Sequence, residues 1–343
     1  MSELDRYSRQ VRFEPVGPGG QRRLSRSRVV LAGCGALGSV SGSLLVRAGV
    51  GALRIIDRDF VELDNLQRQM LFDEDDVRSG LPKAEAARKK LVRVNSTVQL
   101  EARVADITPQ NAAELLGGFD LLLDATDNFE TRGLINDFAV KTGTPWIYAA
   151  VVASEGRTMT VLPGRTPCLR CVFDEPPQAG ALPTCETAGV IGPAVTAVAS
   201  FQVAEALKLL MGRTQELRTG LLALDVWSGT FRTLFAGHAR PRADCPACSA
   251  RRFEFLEGGL SSTGVKLCGR DAVHVSPPAP AHVDLRRLAA RLRHQKVLLS
   301  SEFLLRFEAE GKELTVFADG RAIIKGTTDP TTARAIYAKY VGS

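Results

Sequence analysis

The chain has 343 residues, 45% of them hydrophobic, enough to fill the core of one large α/β domain and of a small second one. Its net charge of +6 is uneven: residues 258–343 hold 13 Lys and Arg against 8 Asp and Glu, so the rest of the chain is nearly neutral. That excludes the broad basic face of a nucleic-acid-binding protein and leaves only a mildly basic tail.

No run approaches the ~20 apolar residues that a membrane helix needs, and residues 1–6 carry no apolar stretch behind a basic one. A membrane partner is therefore not expected, and the protein is read as cytoplasmic. Seven cysteines, four of them in two C-x-x-C pairs, point to metal and thiol chemistry in a reducing compartment and not to a disulfide framework.

In chain order, Arg6, Tyr7, Ser8, Arg9 and Gln10 precede any strand signal and read either as a solvated helix or as groups that reach a partner or a phosphate. The apolar run 29–32 leads into Gly33-Cys34-Gly35-Ala36-Leu37-Gly38. A small-residue helix pattern over 39–48, closed by Gly49, follows, and then a second apolar run, 53–56, that ends on Asp57. This is the strand–turn–helix–strand unit that binds nucleotides. Gly33 and Gly35 permit a tight turn beside a phosphate, Gly38 lets helix and strand pack closely, and Asp57 can accept a ribose hydroxyl. Alone it fits a plain dinucleotide fold. The charged stretches Asp57-Arg58-Asp59 and Asp64-Asn65-Leu66-Gln67-Arg68-Gln69 stand where such a fold starts its next helix.

Pro82 suits the first position of a helix running to Arg93. Lys83 in its first turn is either a surface lysine or a point charge for a polyphosphate. Residues 98–104 alternate as a half-buried strand, and Thr108-Pro109 open a short helix. The strand at 121–126 is buried by composition and delivers Asp127 and Asn128 at its carboxyl end, the edge at which open α/β sheets bind ligands. Asp127 is there either a helix N-cap or a Mg2+ ligand, and Asn128 caps the next helix with Arg132 behind it. Strands at 144–151 and 159–162 extend the sheet.

Cys168-Leu169-Arg170-Cys171 and Cys245-Pro246-Ala247-Cys248 are separated by 73 residues. Neither pair reads as opening a helix in the thioredoxin manner, so the four thiolates are assigned to one closed, tetrahedral, structural Zn2+ site. Between them come an aperiodic loop, 173–180, then Cys185, and then Pro193 in the first turn of a long apolar helix to about Met211. Cys185 is thus placed in a loop ahead of a helix N-terminus, where a thiol pKa is lowered. Cys34 and Cys268 read as buried packing residues.

The Gly- and Ser-rich run 258–263 reads as a linker. Beyond it a strand (272–275), an amphipathic helix (283–293), strands at 297–299, 303–307 and 314–317, a further strand signal at Ile323-Ile324 and a closing helix (331–340) make a small α+β domain over 258–343. The larger domain, 1–257, is expected to be a Rossmann-like, doubly wound α/β sheet extended by further strands.

From about residue 6 to residue 248 these separated motifs resemble the E1-like adenylyltransferases that activate ubiquitin-fold sulfur carriers in molybdopterin and thiamine biosynthesis. The resemblance implies ATP-dependent adenylylation of the C-terminal glycine of a small carrier ending in Gly-Gly, in a homodimer. A cysteine desulfurase or sulfurtransferase is then the expected sulfur donor. It implies that Gly33, Gly35, Gly38, Asp57, Asp59, Asn65, Arg68, Gln69, Lys83, Asp127 and Asn128 bind ATP, with Asp127 on Mg2+. Arg68, Lys83 and Arg9 steady phosphate charge, Arg9 from across the dimer. In some members the cysteine of the T-C-x-x-A-G-V pattern, here Cys185, takes over the activated carrier covalently, and in others it is dispensable. The tail has no sulfurtransferase-like cysteine loop and reads as a docking or oligomerisation module. An NAD-dependent oxidoreductase and a non-catalytic zinc-stabilised scaffold are the two rival readings. The first leaves Arg68, Lys83, Asp127 and the cysteine pairs without a task.

Overall fold

The computed structural model describes residues 5–173, 184–234, 240–258, 267–268, 272–275 and 283–342, without the side chains of Glu186, Leu267 and Cys268. The loop expected at 173–180, apart from Phe173, and the linker residues 259–263 lie outside the described residues. Two compact units are present, Met1–Arg78 with Pro82–Ser261 and Ser79–Leu81 with Ser262–Ser343.

In the first unit, short helices α1 (Ser8–Val11) and α2 (Gly17–Leu24) precede β1 (Arg28–Ala32), α3 (Ala36–Ala48) and β2 (Ala52–Ile56). Helix α3 starts three residues before the expected 39 because Gly35 serves as its N-cap, and it ends on Gly49 in the left-handed region at φ 80°. After α4 (Glu74–Ser79) comes α5 (Lys83–Val94). Pro82 is not its first residue but its N-cap, with an extended ψ of 142° set by an isolated antiparallel bridge to Phe60. Strand β3 (Gln99–Arg103) leads to α6 (Ala112–Leu116). Thr108 does not cap that helix. Its N–H donates to Asn111 Oδ1 at 2.8 Å in a preceding turn, and Asn111 stands at the N-cap.

Then follow β4 (Leu121–Asp124), α7 (Phe129–Thr142), the hairpin β5 (Trp146–Val152) and β6 (Glu155–Val161), single-turn helices α8 (Leu169–Val172) and α9 (Cys185–Ala188), and the long α10 (Gly192–Leu210). Strands β7 (Leu221–Asp225) and β8 (Thr230–Leu234), which the sequence reading did not include, close the sheet. The strand order is β3-β2-β1-β4-β5-β6-β7-β8. Strands β3 to β5 run parallel and β6 to β8 are antiparallel additions. The chain winds outward from β1 to β3 and then returns to β4 on the other side of β1. The break between β1 and β4 is the crevice in which doubly wound sheets bind ligands.

Helix α10 is long and apolar enough to cross a membrane by length and composition, contrary to the expectation that no run would come close. Its contacts explain the composition: it packs along α3, β5 and β6. Buried Gln202 on it donates to the carbonyls of Asp124 (2.7 Å) and Ile147 (3.0 Å), so it is a core helix that bolts the central strands together.

The second unit is a six-stranded antiparallel sheet in the order β11-β12-β13-β14-β10-β9. Its strands are β9 (Leu267–Cys268), β10 (Ala272–Val275), β11 (Lys296–Ser300), β12 (Leu304–Ala309), β13 (Lys312–Phe317) and β14 (Ala322–Lys325). Helices α11 (Leu285–Arg291) and α12 (Pro330–Tyr340) are capped by Asp284 and Asp329 and pack Leu288 and Ile336 onto Phe307, Leu314 and Ile324. The side chain of Cys268 lies outside the described residues.

Candidate nucleotide site and cysteine cluster

The glycine turn sits at the break in strand order. Gly33 has φ +91°, and a Cβ there would stand 2.6 Å from the carbonyl oxygen of Ala125, the residue just after β4. A Cβ on Gly38 would strike the Gly33 carbonyl. Gly35 differs: a Cβ there would meet only Gln69 Nε2, at an ordinary contact distance of 3.8 Å. The turn is therefore closed toward the sheet and open toward solvent, which is the shape of a phosphate cradle.

Asp57 at the end of β2 braces this turn. Its Oδ2 accepts the N–H of Cys34 at 2.6 Å and its Oδ1 the N–H of Asp59 at 2.7 Å. Burial, with Asp59 beside it, pushes the Asp57 carboxyl up to about 6, against Lys83 and the two N–H groups. Lys83 is 7% exposed, and its Nζ lies 3.5 Å from Asp59 Oδ2. Burial works to neutralise that ammonium, but Asp59, Asp57 and Asp127 outweigh it and raise its pKa.

Asn65 shapes the loop that follows: its Oδ1 accepts the Glu62 N–H and its backbone carbonyl accepts the N–H of Arg68 (3.1 Å) and Gln69 (2.9 Å). Half-buried Arg68 donates to the Asp64 carbonyl at 2.8 Å. Gln69 is buried, and its Oε1 has no hydrogen-bond partner among the described residues, an orphaned acceptor beside the open glycine that a bound donor would satisfy.

Arg58 is a member of this site that the sequence reading did not assign. It pairs with Asp106 at 2.7 Å and Asp59 at 3.6 Å, and these carboxylates with Asp127 overcome its burial and hold it charged. A lone arginine in a charged loop gives no periodic signal, and its partner Asp106 is 48 residues away.

Asp127 is exposed at the carboxyl end of β4, and its charge is felt by Arg58, Lys83, Arg132 and Cys185. The N-cap of α7 is Asn128, not Asp127: its Oδ1 accepts the Thr131 N–H at 2.8 Å, so the Asp127 carboxylate is not used as the cap. Behind them Arg132 bonds Asp124 Oδ2 at 3.2 Å and also donates to the Thr126 carbonyl. An exposed carboxylate whose charge reaches Arg58, Lys83 and Arg132 fits a Mg2+–phosphate ligand.

Cys185 stands at the start of α9 and not in an open loop. Thr184 caps this single turn, and Cys185 Sγ donates to the Val151 carbonyl at 3.3 Å. The expected lowering of its pKa is not found. Burial first and Asp127 second raise it, against Arg68 and Arg132. Cys34 is buried, as a packing residue should be, and burial raises its thiol pKa as well. Arg9 is exposed on α1 and makes no hydrogen bond or ion pair with the other site residues among the described residues.

The sulfur atoms of Cys168, Cys171, Cys245 and Cys248 all lie within 4.8 Å of one another. Three of the separations are 3.9 Å (168 to 171), 3.6 Å (168 to 245) and 3.3 Å (171 to 248). Tetrahedral zinc–thiolate bonds of about 2.3 Å imply edges of about 3.8 Å, so the cluster fits zinc with little movement. The Arg242 N–H donates to Cys171 Sγ at 3.4 Å. Contrary to the sequence reading, the first pair does open a helix, with Cys168 as the N-cap of α8, but it is a single turn that folds the two sulfurs to one side.

A glycine turn at a switch point, a ribose-ready acid, and buried and exposed charges around a cradle define a Rossmann-type nucleotide-binding protein. The chain belongs to the ThiF family, whose sequence model matches residues 7–247. Over 338 residues it is 44% identical to the sulfur carrier protein ThiS adenylyltransferase of Bacillus subtilis, covering 98% of this chain and 99% of that one. It is 43% identical over 251 residues to the sulfur carrier protein adenylyltransferase of Thermus thermophilus, covering 72% and 91%. A crystal structure of E. coli MccB with ATP shares the fold, with a TM-score of 0.61 at 23% identity over 71% of this chain and 74% of that one. The Bacillus match takes in the tail, which the resemblance read from motifs did not reach.

Proposed function

We propose that this chain is an ATP-dependent adenylyltransferase acting on the C-terminal glycine carboxylate of a small ubiquitin-fold sulfur carrier that ends in Gly-Gly, a ThiS-like protein. One observation carries the reading: an open glycine cradle, buried Lys83 and exposed Asp127 converge in a chain 44% identical, almost end to end, to a carrier adenylyltransferase. The triphosphate lies on the backbone N–H groups at the start of α3 and against Lys83, and the ribose faces Asp57. The carrier carboxylate, already ionised at neutral pH, attacks the α-phosphorus. A new carboxylate–phosphorus bond forms, the bond to the bridging oxygen breaks, and pyrophosphate leaves. Such a reaction needs alignment and charge neutralisation rather than a base. Lys83 and Arg68 supply positive charge from within the chain, and Arg9 supplies it to a second copy in a homodimer. Asp127 holds Mg2+, which when bound neutralises phosphate charge.

The four cysteines hold a structural Zn2+ that ties residues 168–171 to 245–248. Cys185 takes over the activated carrier as its thiolate forms a thioester with the glycine carbonyl and AMP leaves, after which a cysteine desulfurase or sulfurtransferase delivers sulfur. Cytoplasmic location accords with the free thiols. The test is exchange of labelled pyrophosphate into ATP with a panel of small Gly-Gly-ending proteins. Exchange that depends on one carrier supports the reading, and tight NAD binding without exchange contradicts it.

A further inference from the structure

Helix α7, which follows directly on Asp127, is gripped at its middle by both segments that carry the cysteine pairs. Asn136 and Asp137 are wholly buried in an otherwise apolar stretch of this helix. Asn136 Oδ1 accepts the N–H of Leu169 at 2.9 Å, between Cys168 and Cys171. Asp137 Oδ2 accepts the N–H groups of Phe255 at 2.9 Å and Leu256 at 3.4 Å, shortly after Cys248. Successive helix residues point about 100° apart, so the two grips come from different sides. Gly133 lets the Phe255 ring lie against the helix backbone, since a Cβ there would be 2.6 Å from the ring. Arg170 completes the frame by pairing with Glu254 at 3.2 Å and lying 5.6 Å from the centre of Phe255.

At its other end the same helix fixes both neighbours of Asp127: Asn128 caps it, and Arg132 holds Thr126 and Asp124. Asn128 and Asn136 are roughly 12 Å apart along the axis, a distance over which a packed helix moves as a rod.

We propose that Asn136 and Asp137 are positioning residues that couple the cysteine cluster to Asp127 through α7, so that the closed cluster sets where the Asp127 carboxylate stands. This rests on the reading of Asp127 as the Mg2+ ligand of an adenylyltransferase.

The test is pyrophosphate exchange against Mg2+ concentration, on the full chain, in wild type, Asn136→Ala, Asp137→Ala and Asp137→Asn. The folded alanine variants should keep the metal content of the wild type. They should need at least fivefold more Mg2+ for half-maximal exchange, with an unchanged KM for the carrier. Mn2+ binding in the presence of ATP, followed by spin resonance, should weaken by the same factor. Asp137→Asn, which keeps an acceptor oxygen for the two N–H groups, should stay within twofold of wild type. A folded Asp137→Ala with the Mg2+ dependence of wild type overturns the proposal. If the alanine variants do not fold, amide hydrogen exchange of the wild type with and without a zinc chelator decides. Loss of protection at 127–137 together with the cysteine segments, and before β1 to β3, supports the coupling, and retained protection there overturns it. Wild type without any pyrophosphate exchange would instead count against the adenylyltransferase reading, and hydrogen exchange still judges the coupling.

Discussion

Lys83 Nζ lies 3.5 Å from Asp59 Oδ2 although Lys83 keeps only 7% of its surface exposed. The wall of the glycine cradle thus contains an ammonium that carboxylates keep charged before any ligand arrives. Under the proposed reading, phosphate entering the cradle meets a cation already in place, which is the preorganisation that phosphoryl chemistry requires.

Asp127→Ala should fold normally and lower exchange by about a hundredfold or more, because phosphate charge is left uncompensated in the transition state. Arg9→Ala should also be inactive, yet a mixture of Arg9→Ala and Asp127→Ala chains should regain activity, since one site of the mixed dimer holds both residues. Arg9 is exposed and, among the described residues, makes no hydrogen bond or ion pair with the other site residues. No recovery despite proven subunit exchange rejects the shared site.

Asp57, pushed up to about 6, should set the acid limb of the proposed nucleotide binding. Protonation turns one of its two accepting oxygens into a donor, so ATP affinity should fall as pH drops through about 6. For stability the sign is opposite: the folded state holds this proton more tightly than the unfolded chain, so the carboxyl costs stability as pH rises from about 4 to about 6. Calorimetric ATP titrations from pH 5 to 8 check the first statement, and a pH-independent affinity across that range would refute it. In Asp57→Asn the step near pH 6 should vanish.

The cysteine cluster should contain one Zn per chain by elemental analysis, and Cys171→Ser or Cys248→Ser should unfold or aggregate the protein, since the binding free energy of such a site is folding free energy. A fully stable wild type after complete metal removal contradicts a structural role.

How much of this was legible in the sequence follows the range of the interactions. The glycine turn and each cysteine pair have their own residues within a few positions of one another, and Asp57 closes an apolar run, so spacing displays them even though their partners, Ala125 and Cys34 among them, are distant. Arg58 and Asn136 find their partners 48 and 33 residues away, and Asp137 reaches 118 residues to Phe255. Nothing local marks a mid-helix Asn-Asp as buried. Strand β8 is exposed throughout, so it lacks the alternation of a half-buried strand, and β7 beside it is a short apolar run that a helix also allows. The raised thiol of Cys185 was misjudged for the same reason: helix order suggested a lowered pKa, while burial and the distant Asp127 push it up.

Cys185 in its resting form is therefore a thiol, and its capture of the activated carrier should quicken with pH. We expect a dithiothreitol-sensitive conjugate whose rate of formation rises up to about tenfold per unit from pH 7 to 8.5. Cys185→Ser should lose the conjugate and keep pyrophosphate exchange. A conjugate that persists in Cys185→Ser, or maps to Cys34 or Cys268, identifies another cysteine.

The central claim is that the carrier's C-terminal carboxylate is joined to AMP, and intact-protein mass spectrometry tests it most directly. Incubated with ATP, Mg2+ and a Gly-Gly-ending ThiS-like carrier, the enzyme should give carrier heavier by one adenylyl group, with release of pyrophosphate, and nothing when the terminal glycine is removed. A carrier whose mass is unchanged under conditions in which ATP is bound, or release of ADP and phosphate instead of pyrophosphate, would contradict the account.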